Sequence, residues 1–102
     1  MRVGINILQI NMSKNEIREQ LVELGFDDSI LLENPDYDSA IIGYDENSGR
    51  VIYDHEKMVK YLMNNEDMSY DEAIDFIGYN TIRATPYMGE NAPIILRNFE
   101  FY

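Results

Sequence analysis

The sequence predicts an α+β domain: a small, mostly antiparallel sheet packed on about three helices. Two β-rich runs flank a turn cluster within residues 39–54, and two Ser-x-x-Glu boxes each open a stretch with apolar residues at helical spacing. Read in order, the elements run β, α, β, β, α, α, β. At 102 residues the chain is long enough for one modest core and too short for a separate cofactor domain, so a single domain spanning residues 1–102 is expected.

The first element is an N-terminal strand in "MRVGINILQI". Polar Asn6 and Gln9 interrupt its apolar run and no small-residue cleavage site follows, so it reads as a strand and not as a secretion signal. "SKNE" at Ser13 to Glu16 is a capping box, and Ile17, Leu21, Val22 and Leu24 then recur at helical spacing until Gly25 ends the helix in a left-handed conformation. Ile30, Leu31 and Leu32, with Pro35 close behind, suit an edge strand or an extended connection. "AIIGYDENSGRVIYD" is a hairpin whose turn lies at Asp45 to Gly49.

Asp54 caps the next helix, which puts Met58, Val59 and Leu62 on one face, Tyr61 at its margin and its end near Asn64 or Asn65. A second capping box, "SYDE" at Ser69 to Glu72, opens a helix with Ala73, Ile74, Ile77 and Ile82 inward. Pro86 closes that region, because the residue before a proline is pushed out of helical geometry. "APIIL", residues 92–96, is a last strand that joins the hairpin after the helices, and the aromatic tail "RNFEFY" extends it.

Charge narrows the function. Nineteen acidic residues against eight basic ones give a net charge of −11, which disfavours attraction to nucleic acid or to an anionic membrane, since both require a positive footprint. A basic partner surface fits instead. No cysteine occurs, which excludes disulfides, thiolate metal sites and cysteine nucleophiles and suits a cytoplasmic protein. No run of eighteen apolar residues offers a membrane span.

Nucleophile elbows, phosphate loops, dinucleotide fingerprints and zinc-protease helices are absent from the sequence, so no catalytic residue and no cofactor are expected. His55, the only histidine, lies in the first turn of a helix between Asp54 and Glu56, where it should be exposed with its pKa raised by both carboxylates. Asp45, Asn47 and Gly49 echo part of a calcium loop but supply too few oxygen ligands, and Glu33, Asp36 and Asp38 read as a solvated loop and not as a metal site.

Eight tyrosines are spread along the chain; tyrosine fills the margins of small cores and also gathers at protein interfaces. Arg83 is a rare cation in this composition. If the helix from Tyr70 continues through Thr81, then Asp75, Tyr79 and Arg83 share a face, with the guanidinium near the helix C-terminus, Asp75 as its partner and its stem over Tyr79. The alternative is an arginine serving a carboxylate ligand or a partner.

"PDYDSAIIGYDENSGRVIYD" followed by "SYDEAIDFIGYNTIRATPYMGENAPII" resembles a group of small acidic proteins encoded in Firmicutes genomes and their phages and mobile elements. The resemblance covers about residues 35–95 and implies no activity and no catalytic residue. Together with the charge it favours a non-enzymatic inhibitor, of the anti-CRISPR kind, that works in the bacterial host cytoplasm. Such a protein would mimic DNA to occupy the basic surface of a nucleic-acid-handling enzyme. A mimic needs dense carboxylates on a rigid frame: Asp36 and Asp38 would be about 7 Å apart if extended, and Asp71 and Asp75 about 6 Å apart on a helix. The expected partner-binding residues are Glu33, Asp36, Asp38, Asp67, Asp71, Asp75, Tyr79 and Arg83. Two other readings stand beside it: a ligand-binding domain or enzyme with a pocket between hairpin and helices formed by Tyr44, Tyr53, Asn80 and Arg83, and a homodimer with a tyrosine-rich surface.

Overall fold

The computed structural model describes residues 12–99, so the expected N-terminal strand and the end of the aromatic tail lie outside the described residues. Helix α1, Lys14–Glu23, begins on the predicted capping box: Ser13 Oγ accepts from the Glu16 amide and Glu16 Oε1 accepts from the Ser13 amide at 2.8 Å. It ends as a Schellman motif, in which Phe26 N–H donates to Leu21 O, Gly25 N–H donates to Val22 O, and Gly25 adopts φ 88°. Leu21 is buried and Ile17 packs against the core, whereas Val22 and Leu24 are about half exposed, so the inward face is narrower than the spacing suggested.

Residues 30–32 form an extended connection with Leu31 and Leu32 buried. The backbone of Leu32 is satisfied by side chains: its N–H donates to Tyr53 Oη at 2.7 Å, and its carbonyl accepts from Lys14 Nζ at 2.8 Å. A short 3-10 turn, Asp38–Ala40, leads into strand β1, Ile41–Tyr44, which pairs antiparallel with β2, Val51–Asp54. The hairpin is as the sequence indicated, with a register irregularity between Ile41 and Gly43. Asp45 organises its turn, because Asp45 Oδ2 accepts from both the amide and the hydroxyl of Ser48 at 2.8 Å. Gly49 closes it at φ 75°, and a Cβ there would collide with the Phe26 ring.

β2 runs directly into α2, His55–Asn65, with Asp54 as N-cap accepting from the Lys57 amide at 3.0 Å. Met58, Val59 and Leu62 are fully buried. With no loop between β2 and α2, His55 continues the buried run of the strand and is only 2% exposed. This corrects the expected surface histidine. Burial, aided by Arg97, pushes its pKa down and outweighs the pull of Glu56 and Asp54.

Helix α3, Tyr70–Ile77, opens on the second capping box, Ser69 with Glu72, and buries Ala73 and Ile77. It passes into a π-helical turn, Gly78–Ile82, marked by Arg83 N–H donating to Gly78 O at 3.1 Å. Thr81 takes the inward position there, and Ile82, expected inside, is 39% exposed. β3, Ile94–Leu96, then joins β2 in parallel, giving a three-stranded mixed sheet in the order β1-β2-β3. The parallel pairing follows from the long crossover through α2 and α3, which brings the chain back to the end of the sheet it left. Among the described residues the core joins α1, the 31–37 connection, the hairpin, α2 and α3, with buried Tyr37 edge-on to half-buried Tyr61 at its margin. Among the described residues no helix is long and apolar enough to cross a membrane.

Candidate functional site

The link between α2 and α3 makes the most distinctive surface. Glu66 ends α2, and Asp67 turns the chain at φ 57°, a left-handed geometry that aspartate tolerates because its short polar side chain can bond locally. Ser69 restarts the helix three residues before Glu72. This corner sets Glu66 and Asp67 beside Glu72, Asp75, Phe76 and Tyr79 of the α3 region, around a surface groove of about 490 Å³ over Met68.

Four carboxylates therefore surround an apolar floor. Glu72 is engaged, its Oε1 accepting from the Ser69 amide at 2.8 Å. Glu66, Asp67 and Asp75 form no ion pair among the described residues, where the only such contacts are those of Lys14. Of the expected partner-binding residues, the fold gathers Asp67, Asp75 and Tyr79 here and adds Glu66, Glu72 and Phe76. The signal for the added ones was local: Glu66 adjoins Asp67, and Phe76 lies i+4 from Glu72. Asp71 is exposed in the first turn of α3 and does not line the groove.

Arg83 does not line the groove; its guanidinium carbon lies 4.8 Å from the centroid of the Tyr79 ring. The expected cover of Tyr79 by Arg83 is present. The expected pairing with Asp75 is not formed among the described residues, because the i to i+5 step of the π-helical turn shifts the angular position of Arg83 relative to α3. The ring is 70% exposed, and Tyr87 nearby in the chain is 90% exposed.

The other acidic group serves the fold. Lys14 Nζ lies 3.7 Å from Asp36 Oδ1 and 3.2 Å from Asp38 Oδ1, while Asp36 Oδ1 also accepts from the Asp38 amide. Burial opposes ionisation of Asp36, but its bonds with Asp38 and the Lys14 ammonium hold its carboxyl below the usual value. Burial and the neighbouring Asp36 carboxyl raise Asp38, with Lys14 acting against them. These two carboxylates tie the connection to the first turn of α1. Glu33 is exposed on the same connection.

The residues of the alternative pocket are not brought together. Tyr53 is fully buried, Asn80 Nδ2 donates to Phe76 O at 3.0 Å, and Arg83 rests on Tyr79. Tyr44 lines a different cavity of about 290 Å³ between α1 and the hairpin, walled by Ile17, Leu21, Leu24 and Ile41, with Asp38 and Lys57 also lining it. No cluster of three or more metal-ligating side chains occurs among the described residues. Comparison of the chain with protein families, with curated proteins and with solved structures finds no match.

Proposed function

We propose that the chain is a non-enzymatic acidic binding protein that occupies a basic, nucleic-acid-binding surface of another protein, with the α2–α3 groove as the contact. The observation that supports this reading is a set of carboxylates, Glu66, Asp67 and Asp75, without cationic partners among the described residues, arranged around Met68, Phe76 and Tyr79. Like charges held together cost stability, and a cationic partner relieves that cost. The groove thus offers charge for steering and apolar area for affinity. Small size and a net charge of −11 are what support the narrower form, an inhibitor of a host nucleic-acid-handling enzyme of the anti-CRISPR kind.

The test is capture of partners from bacterial lysate on the immobilised chain at low and high salt, followed by challenge with duplex DNA. A basic nucleic-acid enzyme that is released by both salt and DNA is expected, because exposed charges are screened beyond about 8 Å at physiological ionic strength. Glu66→Lys with Asp75→Lys should lose it while the circular dichroism spectrum is kept. Capture indifferent to salt, DNA and charge reversal would reject the reading. The cavity between α1 and the hairpin favours a second reading, a small-ligand pocket, which predicts a rise in melting temperature with an apolar ligand and little dependence on salt.

A further inference from the structure

We propose a further binding site, for a small aromatic monocarboxylate, where the β2–α2 junction meets α3 and the residues just past β3, with Arg97 and His55 holding the carboxylate. The cavity there measures about 260 Å³ and is lined by Asp54, His55 and Glu56 of the junction, Tyr70 of α3, and Arg97 and Phe99 beyond β3. It is separate from the α2–α3 groove and does not rest on that reading. His55 carries the inference: the residue is 2% exposed, yet its Nδ1 has no hydrogen-bond partner among the described residues. A buried polar nitrogen left unpaired is costly, and a ligand in the cavity that it lines supplies the partner.

The donors and acceptors around the cavity select the ligand. Both carboxylates are engaged: Asp54 Oδ2 accepts from the Lys57 amide at 3.0 Å, and Glu56 Oε1 accepts from Tyr70 Oη at 3.4 Å. Arg97 forms no ion pair among the described residues, where the only such contacts are those of Lys14. Its planar N–H fork matches a carboxylate, and the N-terminus of α2, a helix of eleven residues, favours negative charge at the same place. Phe99 is 90% exposed and Tyr70 44% exposed, so both offer ring surface to the body of the ligand. Pockets for drug-sized ligands begin at roughly 300 Å³. A single ring therefore suits this one.

Charge sets the pH dependence. Asp54 and Glu56 against Arg97 leave one net negative charge beside the imidazole, and the phenol of Tyr70 adds none, so a bound monoanion calls for a balancing proton on His55. Burial and Arg97 hold His55 below its ordinary pKa, against the pull of Glu56 and Asp54. A carboxylate that pairs with Arg97 and with the imidazolium opposes that shift. Affinity therefore rises as pH falls from about 7 toward about 5. Phosphate, which carries close to two charges at neutral pH, meets stronger repulsion from the same two carboxylates.

The experiment follows the imidazole protons of His55 by NMR, a single set because the chain has one histidine, as sodium benzoate is titrated into the full chain at constant ionic strength. Benzamide, the uncharged counterpart, and inorganic phosphate are titrated in parallel. Benzoate should shift the His55 and Arg97 signals saturably, raise the pKa of His55, and bind more tightly at about pH 5.5 than at about pH 7.5. Arg97 is exposed, so its replacement spares the core. Arg97→Gln should weaken benzoate about tenfold or more, the size of a hydrogen-bonded charge pair, and Arg97→Lys, which keeps the charge without the fork, by less. Lys60→Gln removes the same charge from an exposed position on α2 that does not line the cavity and should change affinity by less than about twofold.

His55 signals unmoved by benzoate, or moved alike by benzamide, overturn the site. So does a loss in Arg97→Gln no larger than that in Lys60→Gln, which reduces the effect to general charge attraction. Phosphate binding more tightly than benzoate at neutral pH overturns the choice of a carboxylate. The acidic-groove reading stands or falls separately, on partner capture.

Discussion

Replacing Gly49 with alanine tests the hairpin that anchors α1 and the core. Gly49 has φ 75°, where a residue with a Cβ loses about 1–2 kcal/mol relative to glycine. The new methyl would also overlap the Phe26 ring, which packs tilted against Tyr44 with centroids 6.0 Å apart, so the ring must leave that contact. Displacing a packed side chain this way costs about 1–3 kcal/mol. The combined loss, about 2–5 kcal/mol, is a large share of the roughly 5–15 kcal/mol total expected of a domain of this size. Urea unfolding followed by circular dichroism should show a lower midpoint with an unchanged slope. Phe26→Ala as a background separates the two causes: there, Gly49→Ala should cost only the backbone share. A loss below about 0.5 kcal/mol, within the range of an ordinary surface change, would refute the argument. So would a loss that is the same with and without the Phe26 ring.

Tyr53→Phe removes the acceptor of the buried Leu32 amide and should cost about 1–3 kcal/mol, read from the same unfolding midpoint. Burial raises the pKa of Tyr53 and pushes Tyr37 up to about 12, so the folded chain resists ionisation that the unfolded chain undergoes near 10. Stability should therefore fall as pH rises above about 10, and less steeply in Tyr53→Phe; equal slopes would remove Tyr53 from the account. His55 has a folded pKa below its unfolded value of about 6.5, so its contribution is complete above that pH and is lost as pH falls through it toward the folded value. Between neutral pH and about pH 5, wild type should lose stability relative to His55→Leu; parallel curves for the two would contradict a buried neutral imidazole.

The elements legible in the sequence were those whose signals are local. Ser13 with Glu16, Ser69 with Glu72, Asp54 as a cap and Gly25 as a stop each act within four residues, and each stands in the structure as the spacing implied. What depended on distant packing was less legible. His55 reads as a surface residue until β2 is seen to enter α2 with no loop, and the parallel direction of β3 depends on where two helices leave the chain. The π-helical turn has no sequence signature, so the inward place passed from Ile82 to Thr81 and Arg83 turned away from Asp75. The candidate site was legible to the extent that it is a local corner: Asp67, Asp75 and Tyr79 are close along the chain and meet in one groove. Asp36 and Asp38 were read as free because nothing adjacent in sequence shows Lys14 reaching them.

The crossover that makes β3 parallel also sets an order of assembly. β1 and β2 are neighbours through a short turn, but Ile52 meets Ile94 only after a loop of about forty residues has closed, and closure entropy grows as about three halves RT times the logarithm of loop length. Relative to the hairpin, β3 starts with an entropic handicap of about 1.5 kcal/mol, and at three residues long it has few ladder bonds with which to recover it. The bond from Arg50 Nε to Ala92 O, 2.7 Å, fastens the chain just before the strand and shortens the search that remains. β3 is accordingly expected to dock late and detach early, which faster native-state hydrogen exchange at residues 94–96 than in β2 would show; Arg97, just beyond it, is one of the groups that lower the pKa of His55. Detachment of β3 should therefore favour proton uptake at the start of α2, since it would take Arg97 away from His55.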